Sequence, residues 1–162
     1  MAGGWPANYI SVCDEMTESR LSAATAAAKA LGHPARLRLL AMLSRGPLCV
    51  CQMTAVLGTA PSTVSEHLRE LRRAGLLVEE KNGKFVSYRL APSRDAAGWL
   101  QVVRAGLAGD PVAAADAQLV DRLRRIPVEE FAASGNRLPA GSASRPRRTE
   151  RRARDRAEPG MG

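Results

Sequence analysis

Two thiols one residue apart, Cys49 and Cys51, stand in the stretch Leu48-Cys-Val-Cys-Gln-Met53. Thiolate is the metal-binding form of cysteine, and soft thiolates select zinc, cadmium, lead, copper(I) or trivalent arsenic and antimony. Cysteine is also a small apolar residue that packs in cores, and a thiol pair can be redox-active. The residues alone leave these roles open. On a regular helix, side chains at i and i+2 project about 200° apart. Cys49 and Cys51 are therefore expected to share one ion only if the turn that carries them unwinds, which suits a switch better than a structural site. Cys13 is the third cysteine of the chain. With an odd count and no basic-then-apolar leader, free thiols are expected rather than a structural disulfide.

A second set of residues has the chemistry of DNA reading. Ser62, Thr63, Ser65, Glu66 and Arg69 fall at the start of a helical pattern from about Pro61 to Ala74. Hydroxyls bond base edges or phosphates, Glu66 can accept from cytosine, and Arg69 can donate to guanine or phosphate. Arg72 and Arg73 are placed for phosphate, and Lys81 and Lys84 flank a turn beside the DNA backbone. The alternative, an ordinary solvated helix face, is disfavoured by the hairpin pattern that follows. His33 and His67 are read as packing or hydrogen-bonding residues. No paired carboxylates, Cys-His dyad, phosphate-cradling glycine loop or nucleophile elbow gives an enzyme reading residues to use, and no organic cofactor is implied.

The elements that must hold these residues are mainly helical. Thr17 is expected to cap a helix with Leu21, Ala24, Ala28 and Leu31 on one face. Gly32-His33-Pro34 breaks it, and Pro34 opens a second helix with Leu37, Leu40 and Leu43 inward. A short helix from about Cys49 to Leu57 ends at Gly58, and the turn Gly58-Thr59-Ala60 leads to the helix from Pro61, with Val64, Leu68 and Leu71 inside. Ala60 is a poor cap, so Thr59 is a candidate for that role. Two helices joined by a short Gly-containing turn form a helix-turn-helix. Leu76–Glu80 and Lys84–Leu90 read as strands about the turn Lys81-Asn82-Gly83. A further helix from Ser93 or Asp95 carries Ala97, Leu100, Val103 and Leu107. Another, from about Val112 to Arg125, carries Leu119, Val120 and Leu123.

The chain has 162 residues and a formal net charge of +8, which favours a polyanionic partner. Residues 137–162 hold eight arginines against three acids, a net of +5, leaving +3 for the rest. The organisation expected is an N-terminal arm (1–16), a winged helix-turn-helix domain (17–108), a C-terminal helical extension used in dimerisation (109–133) and a disordered basic tail (134–162). No apolar run approaches the roughly 18 residues of a membrane span, so a cytoplasmic location is expected.

Leu31-Gly-His-Pro-Ala-Arg-Leu-Arg-Leu-Leu40, Leu48-Cys-Val-Cys-Gln-Met53, Pro61-Ser-Thr-Val-Ser-Glu-His-Leu-Arg-Glu-Leu71, Arg73-Ala-Gly-Leu-Leu77 and Tyr88-Arg-Leu90 together resemble the ArsR/SmtB family of winged-helix metalloregulatory repressors. The resemblance covers about residues 17–108. It implies a mainly α fold with a β-hairpin wing, dimerising through its terminal helices. It also implies a homodimer that binds palindromic operator DNA and releases it when an ion binds. It gives Cys49 and Cys51 as metal ligands, as in arsenite and antimonite sensors and in cadmium and lead sensors. Arsenite sensors of the best-known type have a third cysteine where Thr54 stands here, so Cys13 from the arm is the expected third ligand. Three thiolates favour arsenite or antimonite as inducer over cadmium, lead or zinc. The zinc site of the last helix needs Asp and His ligands, and residues 94–108 contain Asp95 but no His.

Overall fold

The computed structural model describes residues 19–138. The expectations for Thr17, for Cys13 and its arm, and for nearly all of the basic tail fall outside them. Among the described residues the order is α1 (Arg20–Leu31), α2 (Pro34–Leu43), β1 (Leu48–Cys49), α3 (Val50–Leu57), α4 (Pro61–Arg73), β2 (Leu77–Asn82), β3 (Phe85–Leu90), α5 (Arg94–Gly106), α6 (Pro111–Leu123) and α7 (Val128–Ala133).

Most helices start where a short polar side chain or proline allows it. Ser19, Ser93 and Asp110 cap α1, α5 and α6 by accepting a backbone N–H three residues on. His33 caps α2 through Nδ1, 3.1 Å from the Ala35 amide. Pro34, Pro61 and Pro111 take first-turn positions, where a missing N–H costs nothing. Ala60 precedes α4 with no side-chain cap, so the expected capping by Thr59 is not made. Gly58 ends α3 at φ +64, a left-handed corner that glycine adopts at little cost.

The core forms where these helices meet. Leu39, Leu40, Met42 and Leu43 of α2 pack with Met53 of α3 and with Val64, Leu68 and Leu71 of α4. Each fully buried side chain of this size contributes about 1.5–3 kcal/mol of transfer free energy. Leu37, expected inside, is only partly buried.

Three strands form one antiparallel sheet in the order β1-β3-β2. The hairpin pairs Asn82 with Phe85, so its turn is Gly83-Lys84 rather than Lys81-Asn82-Gly83. Gly83 at φ +59 takes the first corner, and strand pairing continues through Asn82. β1 was not expected. It pairs Leu48 with Tyr88 and Cys49 with Ser87, and two residues are too few to show a period.

On α1 the structure corrects the sequence pattern. Ala27 and Ala30 are buried, whereas Leu21 is 61% exposed and Ala24 and Ala28 also face outward. On α5, Ala96 and Val103 face inward, while Ala97 and Val102 lie outside. The expected stripes are thus partly surfaces this protomer leaves uncovered.

The extension folds back on its own protomer. α6 packs on α2 and α3, and its buried residues are Asp116, Val120 and Leu123. Asp116 takes a bidentate bond from Arg38 at 2.6 and 2.7 Å, and Asp121 pairs with Arg45. Arg124 donates to the Arg45 carbonyl across Gly46, where an added Cβ would lie 2.7 Å from the guanidinium. α7, also unexpected, is held by the buried Phe131. Among the described residues no helix is long and apolar enough to cross a membrane.

Candidate functional site

Cys49 is the residue before α3, not its first turn. Its backbone is extended (φ −79, ψ 159), as β1 requires, and Val50 begins the helix. Its sulfur accepts from the Gln52 amide at 3.4 Å, and its own amide donates to Gln52 Oε1 at 3.0 Å. This is a capping box with cysteine in the usual place of serine.

The extended backbone removes the 200° separation expected for two helical residues. Cys49 and Cys51 have Cα atoms 5.4 Å apart and their sulfurs are joined as a disulfide. Two expectations are corrected together: the thiols are bridged rather than free, and no helical turn has to unwind for their sulfurs to meet. Cys49 is buried and Cys51 half-buried. Reduced, the pair offers two sulfurs to one ion from a helix N-terminus, a position that favours negative charge.

One turn beyond Cys51, Thr54 Oγ1 is buried without a hydrogen-bond partner. Among the described residues no group of three or more His, Cys, Asp or Glu is placed to hold a metal. Among the described residues the donors are therefore two sulfurs, with the Thr54 hydroxyl one turn further along α3. Two sulfurs suit a thiophilic ion.

α3 leads through Gly58 into α4, whose outer face carries the expected reading residues. Ser62, Thr63, Ser65, Glu66 and Arg69 are all exposed, opposite the buried Val64, Leu68 and Leu71. The arginines are already paired within the protein. Arg69 bonds Glu66 at 2.6 Å, Arg73 bonds Glu70 at 3.1 Å, and Arg72 bonds Glu79. Glu79 also accepts from the Tyr88 hydroxyl at 2.8 Å. Burial, and then this bond, push the Tyr88 hydroxyl pKa upward. Exposed pairs of this kind contribute about 0–1 kcal/mol, so a phosphate can displace them. Lys81 is exposed on β2, and Lys84 sits in the turn with Nζ 5.4 Å from the centre of the Phe85 ring.

Three features were not read from the sequence. The His33 and His67 rings lie 4.4 Å apart and join the start of α2 to α4. Burial first, then electrostatic interaction with His33 and Arg36, lowers the His67 pKa, against an opposing pull from Glu66. The Arg38–Asp116 pair joins residues 78 apart, beyond the reach of any local pattern. Gln52 was within reach, because Cys49-x-x-Gln52 has capping-box spacing.

Residues 33–78 match the family described as "Bacterial regulatory protein, arsR family". Over 65 residues the chain is 43% identical to the arsenical resistance operon repressor of Escherichia coli K12, spanning 40% of this chain and 56% of that protein. Over 93 residues it is 40% identical to the HTH-type transcriptional regulator CmtR of Mycobacterium bovis, spanning 57% of this chain and 79% of that protein. Its fold resembles the homodimeric winged helix-turn-helix DNA-binding domain of Mb0332 from Mycobacterium bovis. That likeness has a TM-score of 0.50 at 24% identity, over 68% of this chain and 94% of that domain. The chain spans little more than half the length of the arsenic-resistance regulators it matches, 51% and 56%. The chain belongs to the arsR family of bacterial regulatory proteins, with a winged helix-turn-helix fold. That family is one of transcriptional regulators, not enzymes.

Proposed function

We propose that the protein is a repressor that binds operator DNA as a homodimer and releases it when arsenite or antimonite binds Cys49 and Cys51. The observation that carries this reading is the position of the two sulfurs at the start of α3, one short helix and a three-residue turn from α4. Trivalent arsenic exchanges its hydroxyls for thiolates, releasing water, and a close pair of sulfurs is the donor set it needs. Cys13 is proposed as the third thiolate. Ser62, Thr63, Ser65, Glu66 and Arg69 would read the major groove, with Arg72, Arg73, Lys81 and Lys84 on phosphates. The outward faces of α1 and α5, with Leu21 and Val102 each 61% exposed, are the proposed dimer surface.

The test uses reduced protein on labelled operator. Arsenite should produce thiolate-to-ion ultraviolet absorption and release the DNA. The Cys49→Ser, Cys51→Ser double variant should bind operator normally, because serine is a good cap at position 49, and should not release it. Cys13→Ser should raise the arsenite concentration needed. Release of the double variant at wild-type arsenite concentrations refutes the site. Cadmium, lead and zinc are run in parallel, and whichever ion acts at the lowest concentration is the inducer.

The Cys49–Cys51 bridge favours a second reading, in which a peroxide or a disulfide takes two electrons and two protons from the thiols. Release by peroxide with no response to arsenite would select it.

A further inference from the structure

Gln52 and Asp116 are the buried polar or charged residues among the described ones, 4% and 5% exposed. Both serve α6. Asp116 ties it to α2 through Arg38. Gln52 does something different, because its amide is shared between α6 and the cysteine site. Its Oε1 accepts from the Cys49 amide at 3.0 Å, and its Nε2 donates to the Leu123 carbonyl at 3.4 Å, on the last residue of α6. Its backbone amide donates to the Cys49 sulfur.

We propose that Gln52 is a positioning residue that transmits the state of the Cys49–Cys51 pair to helix α6. The inference deepens the function proposed above and rests on it for its DNA output. A disulfide holds no ion; once a thiol reductant has supplied two electrons and two protons the freed sulfurs stand apart, and an ion bound by both then fixes where the Cys49 sulfur sits. The Cys49 sulfur is also the acceptor that caps the Gln52 amide. Moving it loads the capping box, and the Gln52 side chain follows the Cys49 amide it is bonded to. The Leu123 carbonyl keeps its bond from Ile126, but the buried Nε2 loses the one partner it has. A buried donor without a partner is costly, so α3 and the end of α6 shift together. α6 is fastened to α2 by Arg38–Asp116 and to the turn after α2 by Arg45–Asp121, so the shift reaches the helix that packs against α4.

The test compares reduced wild type with Gln52→Met, which fills similar space with no hydrogen-bonding amide, and with Gln52→Glu. The glutamate keeps an acceptor for Cys49 and loses the donor to Leu123. Hydrogen exchange of the α6 amides is measured with and without arsenite, beside thiolate absorption and operator binding. Absorption should appear in all three proteins. Exchange at the end of α6 should rise several-fold in wild type and stay flat in both variants. The arsenite-driven fall in operator affinity, about 5–150-fold for a typical coupling, should shrink in both. A merely structural Gln52 would change α6 exchange equally with and without arsenite, and an α6 response of wild-type size in both variants overturns the proposal. Should Gln52→Met fail to fold, Gln52→Glu decides alone. If arsenite gives no absorption in wild type, the arsenite reading fails by itself. The same exchange comparison between reduced and peroxide-oxidised protein then decides the role of Gln52.

Discussion

One carboxylate shows what a single side chain can hold. Asp116 is almost wholly buried, and both its oxygens are bonded by Arg38. The bond to Asp116, ahead of the opposing cost of burial, pushes the Arg38 pKa upward. Asp116→Ala removes the carboxylate that bonds a half-buried guanidinium, and breaking such a pair costs about 3 kcal/mol. Asp121→Ala, at an exposed pair that water screens, should cost much less. Urea midpoints of the two variants check this ordering, and equal losses would show that burial does not separate the pairs. At this scale the sequence was legible for residue type and not for partners. Cys49, Cys51 and the exposed residues of α4 could be named from spacing, because α4 follows a simple period. The bridge could not be anticipated, because it depends on one residue being extended where the pattern reads as helix.

Between elements, the burial of His67 against His33 gives stability a pH dependence. The His67 pKa is lowered from its ordinary 6.5 by burial and by His33 and Arg36, with Glu66 opposing. The unfolded chain therefore binds this proton more readily than the folded one. Stability from this group is complete above about pH 6.5 and falls as the pH drops through the lowered folded value. Wild type should lose denaturant resistance between pH 7 and pH 5 more steeply than His67→Gln, and parallel slopes would remove His67 as the cause. The order of helices and hairpin was legible because periods, prolines and glycines mark them. The hairpin turn was displaced because Gly83, rather than the Asn-Gly pair, sets the corner. The inward face of α1 was misjudged because an apolar stripe does not say whether it meets its own core or another chain.

At the scale of the whole molecule, outward Leu21 and Val102 beside a buried core fit a two-fold assembly. Leu21→Asp together with Val102→Asp should leave the fold intact by circular dichroism and give a monomer in light scattering at micromolar concentration. A dimer that survives both changes would place its interface elsewhere. Wild-type operator binding should weaken steeply with salt through counterion release, and Lys84→Ala should shallow that slope by about one unit. The position of Cys49 before α3 also sets a time scale. A site inside a helical turn would wait for that turn to open before it could close on an ion. Here the backbone at Cys49 is already extended, so the capture proposed above should need no opening step. The rate at which reduced protein takes up arsenite should then rise in proportion to arsenite without levelling off, and a plateau would reveal a gate that the extended backbone does not remove.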